Sequence, residues 1–117
     1  MTYNILADCH MEPDWYRYTP DTHRTALQRH DSIMSELDVL HPDILCLQEV
    51  GVDYYQFLSA ELAHRGYQGD FCPKTMGVME GGATFYKKSQ FECVEVMKYS
   101  FNDMLEEECE RNAEKHA

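Results

Sequence analysis

The sequence predicts an α/β domain built on a mixed sheet with flanking helices. Stretches with strand character alternate with two stretches of helical periodicity, in the order β-α-β-α-β-β-β, and this alternation is typical of a partly parallel sheet. Residues 44–47 are apolar at every position, which predicts a central strand buried on both faces. The 117 residues are enough for one small domain.

The first strand and the first helix are separated by a long loop. Residues 2–6 have the alternation of a strand, and residues 7–20 include two prolines and several aromatic residues, as loops often do. Asp21 or Thr22 is placed to cap a helix that continues to about Leu40, and a proline two residues later ends it. Its apolar positions are expected to share one face: Leu27, Ile33, Met34, Leu37 and Leu40.

A second helix follows the predicted strand at residues 44–48. Asp53 is placed to open this helix, with Gln56 three residues later as in a capping box. Tyr54 or Tyr55 with Leu58 and Leu62 gives it an apolar stripe. A glycine at position 66 suits its end.

Three further strands complete the predicted sheet. Residues 67–72 and 83–87 have strand character, and the glycine-containing stretch 74–82 between them predicts a loop. Residues 91–96 are expected to return as the antiparallel partner of 83–87. We expect residues 1–102 to form the domain and residues 103–117 to form an acidic tail, either helical or disordered.

Charge and cysteine content restrict the classes of function and compartment. The net charge is −11, whereas proteins that bind nucleic acid by phosphate contacts usually have a basic surface; an acidic cleft that holds a divalent cation is an exception. The five cysteines are odd in number and form no C-x-x-C pair, which favours reduced thiols in an intracellular protein. We expect the cytoplasm rather than the mitochondrion, with no targeting region in this sequence, and no membrane association.

Two polar residues at predicted strand ends are the candidates for chemistry. Glu49 comes directly after the apolar run, and Asn4 lies near the end of the first strand. Ligands of α/β sheets collect at the carboxyl ends of the strands, so the two side chains meet if these strands are parallel neighbours. An amide and a carboxylate would offer oxygen ligands of the kind that Mg²⁺ prefers. A solvated strand end and a turn-forming asparagine are the structural alternative.

Two other groups of residues have open interpretations. An aromatic loop after the first strand either stacks on nucleobases or packs against the domain, and it contains Trp15, Tyr16, Arg17, Tyr18 and Arg24. Lys74 and the glycines after it either approach a nucleic-acid backbone or form a plain surface loop. The six histidines show no H-x-x-x-H or H-E-x-x-H spacing, so the sequence gives little support for zinc.

Four motifs carry a resemblance to a known family: "TYNILAD", "HPDILCLQEV", "GYQGDF" and "EGGATFYKKSQF". In that order they resemble the endonuclease/exonuclease/phosphatase superfamily, from residue 2 to about residue 103. The branch they resemble contains the carbon-catabolite-repression type of poly(A) deadenylase, nocturnin, angel and the 2′-phosphodiesterases.

This resemblance implies a fold, a cofactor and a reaction. The family fold is a four-layer α/β/β/α sandwich, of which this chain would form about half. The reaction is hydrolysis of phosphodiesters that depends on Mg²⁺, with Mn²⁺ as a substitute, at RNA poly(A) tails or oligoadenylate 3′ ends. The glutamate of "LQEV" is a metal ligand in the family and corresponds to Glu49, and the asparagine of "NIL" belongs to the same catalytic site and corresponds to Asn4.

The sequence also departs from the family pattern. The later family motifs, an Asp-x-Asn, a further Asp and a Ser-Asp-His, do not occur in these residues. The chain therefore resembles the N-terminal half of the enzyme, and we expect it to be inactive alone. The alternative is a non-catalytic half-fold that binds a protein or RNA partner, with self-association through an exposed sheet face. The sequence does not distinguish 2′,5′ from 3′,5′ linkages.

Overall fold

The computed structural model describes residues 1–75 and 77–117. In that part of the chain the strands are β1 (Thr2–Asn4), β2 (Ile44–Gly51), β3 (Tyr67–Pro73) and β4 (Glu80–Lys87), and the α-helices are α1 (Ala26–Leu40), α2 (Val52–Ala63) and α3 (Phe101–Lys115). Two 3₁₀ turns, Asp8–His10 and Asp21–His23, lie between β1 and α1. The predicted α/β class is confirmed. Part of the predicted loop 74–82, residue 76, lies outside the described residues.

The sheet is mixed, with strand order β1-β2-β4-β3. β1 pairs parallel with β2, while β4 pairs antiparallel with β2 on one edge and with β3 on the other. The predicted strand at residues 91–96 is wrong, because both edges of β4 are already occupied and no edge is left for a returning strand. Residues 91–100, which we call the strap, have no regular secondary structure, and residues 92–98 border a cavity of about 940 Å³ on the sheet.

The core lies between one face of the sheet and the two helices α1 and α2. Leu45, Leu47 and Phe85 of the sheet share one buried cluster with Leu37 of α1 and Leu58 of α2. The prediction that residues 44–47 are buried on both faces is wrong, because the helices cover only one face. Alternate residues of β2 point to the other face, where Ile44 is 42% exposed and Cys46 is half-buried.

Helix α1 begins later than the sequence suggested. Thr25 caps it in a capping box with Gln28, because the threonine side chain accepts from the Gln28 backbone and the Gln28 side chain accepts from the Thr25 backbone. The predicted caps, Asp21 and Thr22, belong to the preceding 3₁₀ turn instead. The buried face is Ala26, His30, Ile33, Met34 and Leu37, whereas Leu27 and Leu40, which we expected on that face, are exposed.

Helix α2 follows β2 without a loop. It begins at Val52 with Gly51 as its N-cap, and no side chain caps it, so the predicted capping by Asp53 is wrong. The Val52 backbone N–H donates to the Met79 carbonyl instead (3.0 Å). The predicted stripe of Tyr54, Leu58 and Leu62 is buried.

One polar pair is buried between α1 and α2. His30 Nδ1 and the Tyr54 hydroxyl lie 2.9 Å apart, so each satisfies the other within the core. Burial raises the pKa of Tyr54 above its usual range. The pair therefore joins the two helices through a polar contact within the core.

The C-terminal helix α3 carries no buried residue. It lies where we expected a helical or disordered acidic end, and the division into a domain and a tail stays a prediction. In the described part of the chain, no helix combines the length and the apolar character needed to cross a bilayer.

Two neighbouring glycines of β4 provide a test of the close strand packing. A Cβ atom at Gly81 would overlap the Cys72 carbonyl oxygen and come within 2.8 Å of Pro73 Cα, whereas a Cβ at Gly82 would meet its nearest atom at an ordinary 3.6 Å. We expect Gly81→Ala to lower the free energy of unfolding by about 1–3 kcal/mol, because β3 and β4 would have to separate. Urea unfolding of the two variants measures the difference. Gly82→Ala is the matched control, and equal stability of the two variants would contradict the close approach.

Candidate active site

A β-bulge at the end of β2 positions Glu49. Leu47 is paired with Ala83 and Val50 with Gly81, so β2 has one residue more than β4 over this interval. Within the bulge, the backbone of Glu49 has a φ of 54°. This is a left-handed conformation that residues other than glycine and asparagine rarely adopt. The bulge thus directs the carboxylate out of the regular strand alternation, at the carboxyl end of β2.

Asn4 holds one oxygen of this carboxylate. Because β1 and β2 are parallel neighbours, with Asn4 opposite Gln48, the Asn4 amide reaches Glu49 and its Nδ2 donates to Glu49 Oε1 at 3.1 Å. Asn4 Oδ1 accepts from the Leu6 backbone N–H at 3.0 Å. The expected approach of the two side chains is present, and the roles assigned to them stay predictions.

The other carboxylate oxygen has no partner. Glu49 Oε2 is inaccessible to solvent and makes no hydrogen bond within the described residues. A buried carboxylate oxygen without a partner is costly, because a charged group is removed from water without compensation. Such an atom at a strand end fits a ligand that the structure does not contain, and a cation is the chemical match.

A complete metal site is not formed by these residues. Among residues 1–75 and 77–117, no group of three or more His, Cys, Asp or Glu side chains is placed to hold an ion. The Asn4 oxygen accepts from Leu6 and its amino group faces Glu49, and the expected pair of oxygen ligands stays a prediction. Glu49 therefore fits a metal as one ligand, positioned by Asn4, and the remaining ligands would have to come from elsewhere.

Two cavities meet at Glu49. The first, about 470 Å³, is bordered by Glu49 and by Trp15 and Tyr16 of the aromatic loop. The second, about 400 Å³, is bordered by Asn4, Glu49, Lys74 and Glu80 among others. The aromatic loop thus borders the cavity at Glu49 through two of its aromatic residues.

The rest of the aromatic loop points elsewhere. Tyr18 is 99% exposed and does not border the Glu49 cavity. Arg17 donates to the Asp14 carbonyl, and Arg24 donates to the Thr19 carbonyl and pairs with Asp21. These arginines stabilise the loop itself.

Glu80 is a site residue that we did not identify from the sequence. It is only 3% exposed, and its Oε1 lies 3.0 Å from His10 Nε2 and 3.4 Å from Lys74 Nζ. Glu80 falls within the stretch 74–82 that we predicted as a loop, and no feature of the sequence indicated that its side chain would be buried. We considered Lys74 as a contact to a nucleic-acid backbone. In the structure its ammonium group pairs with the Glu80 carboxylate.

The strain at Glu49 gives a stability prediction. We expect Glu49→Gly to raise the free energy of unfolding by about 1 kcal/mol, because it removes a left-handed side chain and a buried unpaired oxygen. These gains exceed the lost Asn4 hydrogen bond and the higher entropy of glycine in the unfolded chain. Thermal unfolding measures the change, with Glu49→Ala as the control that keeps the backbone strain. A loss of stability in Glu49→Gly would contradict the strained geometry.

Comparisons with known proteins agree on one family. The Endonuclease/Exonuclease/phosphatase family model matches residues 1–108. The 3′-5′-exoribonuclease subunit Ccr4 of the CCR4-Not complex from Schizosaccharomyces pombe is 36% identical over 112 residues, which cover 87% of this chain and 16% of that protein. Carbon catabolite repressor protein 4 homolog 1 from Arabidopsis thaliana is 34% identical over 110 residues, covering 87% and 18%.

Solved structures show the same relationship. The crystal structure of ANGEL2, a 2′,3′-cyclic phosphatase, matches with a TM-score of 0.74 and 29% identity, over 80% of this chain and 28% of that chain. An endonuclease/exonuclease/phosphatase from Bacteroides vulgatus matches with a TM-score of 0.60 and 26% identity, over 80% and 33%. The chain spans less than a fifth of the length of the two curated relatives above. With the family model matched over residues 1–108, the chain belongs to the endonuclease/exonuclease/phosphatase family.

Proposed function

We propose that these residues form the part of a Mg²⁺-dependent phosphodiesterase that carries the metal-binding carboxylate, Glu49. The substrate would be the 3′ end of RNA or oligoadenylate, as in a deadenylase or a 2′-phosphodiesterase. The observation that carries the proposal is Glu49 Oε2, a buried carboxylate oxygen without a partner at the end of a central strand. The names of the relatives support the reaction class, since one is a 3′-5′-exoribonuclease and another a 2′,3′-cyclic phosphatase.

The residues of this chain would hold and orient the metal ligand. Asn4 fixes Glu49 Oε1 by its amino group, which leaves Oε2 as the atom available to Mg²⁺ or Mn²⁺. When bound, such an ion would neutralise phosphate charge and stabilise the developing negative charge on the phosphate oxygens. Glu80 contacts both His10 and Lys74, so the surroundings of Glu49 contain the positive charge of Lys74 as well as negative groups.

Catalysis would need groups beyond those described. One carboxylate binds Mg²⁺ weakly, because the ion gives up its water reluctantly and needs several oxygen ligands. The relatives are several times longer than this chain, so the remaining ligands and the group that activates water would come from a further part of the full-length protein.

Replacing Glu49 tests the metal assignment. In the longest natural polypeptide that carries residues 1–117, we expect Glu49→Ala to lower kcat for Mg²⁺-dependent hydrolysis of oligoadenylate by about 100-fold or more. The free energy of unfolding should change little, because the side chain lies at the edge of the core. Release of adenosine monophosphate with and without a chelator measures the effect.

The control for this experiment is Asp53→Asn, which alters an exposed carboxylate on the neighbouring helix α2. Its activity should match that of the unmodified protein. Unchanged hydrolysis by Glu49→Ala at saturating Mg²⁺ would refute the assignment. The 117-residue chain alone should show no measurable hydrolysis, and robust cleavage by a pure preparation would contradict the need for further ligands.

A second candidate function is a non-catalytic half-fold that associates with a second copy of itself. The observation that favours it is the sheet face opposite the helices α1 and α2, where the strap borders a cavity of about 940 Å³. The strap and the start of α3 expose several apolar side chains: Val94, Met97, Tyr99 and Phe101. Exposed apolar surface of this kind marks interfaces.

Size-exclusion chromatography with light scattering distinguishes this candidate. A self-associating half-fold should elute as a dimer at micromolar concentration, and Met97→Asp should shift it to the monomer. Leu27→Asp is the matched control, since Leu27 is exposed to nearly the same degree (62% against 65%) but lies on helix α1. A monodisperse monomer of the unmodified chain would rule out self-association.

A further inference from the structure

We propose that Trp15 and Tyr16 form a stacking site for a nucleobase next to Glu49. In this arrangement the base of the nucleotide at the reacting phosphate lies on the two rings while its phosphate reaches the Glu49 corner. The proposal rests on the proposed function, because it assumes that the substrate of the Glu49 site is a nucleotide.

The first argument is the shared cavity. Trp15, Tyr16 and Glu49 border one cavity of about 470 Å³. Leu6, which follows the strand that carries Asn4, borders it as well. A molecule in this cavity would therefore lie against the aromatic rings and the candidate catalytic carboxylate at the same time.

The second argument is the order of the loop that carries the rings. The backbone N–H groups of Trp15 and Tyr16 both donate to the Glu12 carbonyl, at 3.0 and 3.3 Å, and the Thr19 N–H donates to the Tyr16 carbonyl at 2.9 Å. The Arg24 guanidinium closes the loop on the Thr19 carbonyl. These bonds fix the backbone turn before any ligand binds, which reduces the ordering cost of binding.

The third argument is the exposure of the indole. Trp15 is 82% exposed, although tryptophan normally gains its stability by burying its large apolar surface. The aromatic pairs of the described residues are formed within the domain by His30, Tyr54, Tyr55, Phe57, Phe71 and Phe85. Neither ring of the proposed site belongs to such a pair in the described part of the chain, so the largely exposed indole is available to stack on a base.

The charge of the cavity selects a base rather than a phosphate. Glu12 and Asp14 border it together with Glu49 and His10, and the three carboxylates repel a phosphate group that no cation accompanies. Neither arginine of the loop borders the cavity. Stacking needs no positive charge, because every base has a π-face that an aromatic ring can contact.

The chain carries its own probe for this contact. Trp15 is the single tryptophan of the sequence, so its fluorescence reports on this loop alone. We expect a short oligoadenylate to quench the emission of the intact chain in a metal-free buffer, where hydrolysis cannot interfere. An abasic ribose-phosphate oligomer of the same length should leave the emission unchanged. Quenching should persist at higher salt, because base stacking does not depend on phosphate contacts.

Two substitutions at exposed or half-buried tyrosines of the same loop provide the matched comparison. Tyr16→Leu should weaken oligoadenylate binding by about fivefold or more, the loss expected for one stacking ring. Tyr18→Leu, at the ring that does not border the cavity, should bind like the unmodified chain. In anisotropy measurements with labelled oligoadenylate, Trp15→Phe should retain binding and Trp15→Ala should lose it.

The outcomes separate this proposal from the proposed function. In the longest natural polypeptide that carries residues 1–117, quenching that survives in Glu49→Ala while hydrolysis is lost supports both proposals. Quenching by that polypeptide without any metal-dependent hydrolysis keeps the stacking site and removes the hydrolase. Equal quenching by the abasic oligomer, no quenching by oligoadenylate at millimolar concentration, or equal effects of Tyr16→Leu and Tyr18→Leu would overturn the stacking site.

Discussion

The bulge at the end of β2 is the constraint on which the rest of the site depends. One extra residue between the pairs Leu47–Ala83 and Val50–Gly81 places Glu49 in a left-handed conformation. A regular strand would have directed this side chain to one of the two sheet faces. The bulge instead brings it to the sheet end, where Asn4 holds one oxygen and the other is buried without a partner. Strain of this kind persists where the surrounding structure enforces it and is concentrated at functional sites.

The strand order explains why the domain has one covered and one open face. β4 lies between β2 and β3, so the chain that leaves it finds no free edge of β4 to pair with, and the strap borders the sheet face instead. The helices supply a core on the opposite face only. The match to the ANGEL2 structure covers 80% of this chain and 28% of the ANGEL2 chain. Most of the ANGEL2 chain therefore lies outside the matched part. An open face with a loosely packed strap is where further structure of a longer protein could dock.

The charges near Glu49 bear on the proposed binding of a polyanion by an acidic chain. Glu80 is buried with His10 and Lys74 beside it, so that carboxylate is compensated within the chain. Glu49 is not, and the chain as a whole has a net charge of −11. A cation between the two negative groups would help a phosphate to approach such a corner. The aromatic rings at the same cavity supply contacts that are independent of charge, which is the kind of contact an acidic surface can offer to a nucleotide.

The sequence by itself determined the elements and one end of the site. Apolar periodicity identified both core helices and the strands at 44–48, 67–72 and 83–87, because hydrophobic spacing directly reflects local geometry. The proximity of Asn4 and Glu49 was predicted from the sequence, because the carboxyl ends of parallel neighbouring strands lie at the same edge of a sheet. Only the tertiary structure decided the bulge, the burial of Glu80, the strap in place of a strand and the orientation of Trp15 and Tyr16. Each of these depends on which strand occupies which edge, and that pairing is a long-range property that no local pattern records.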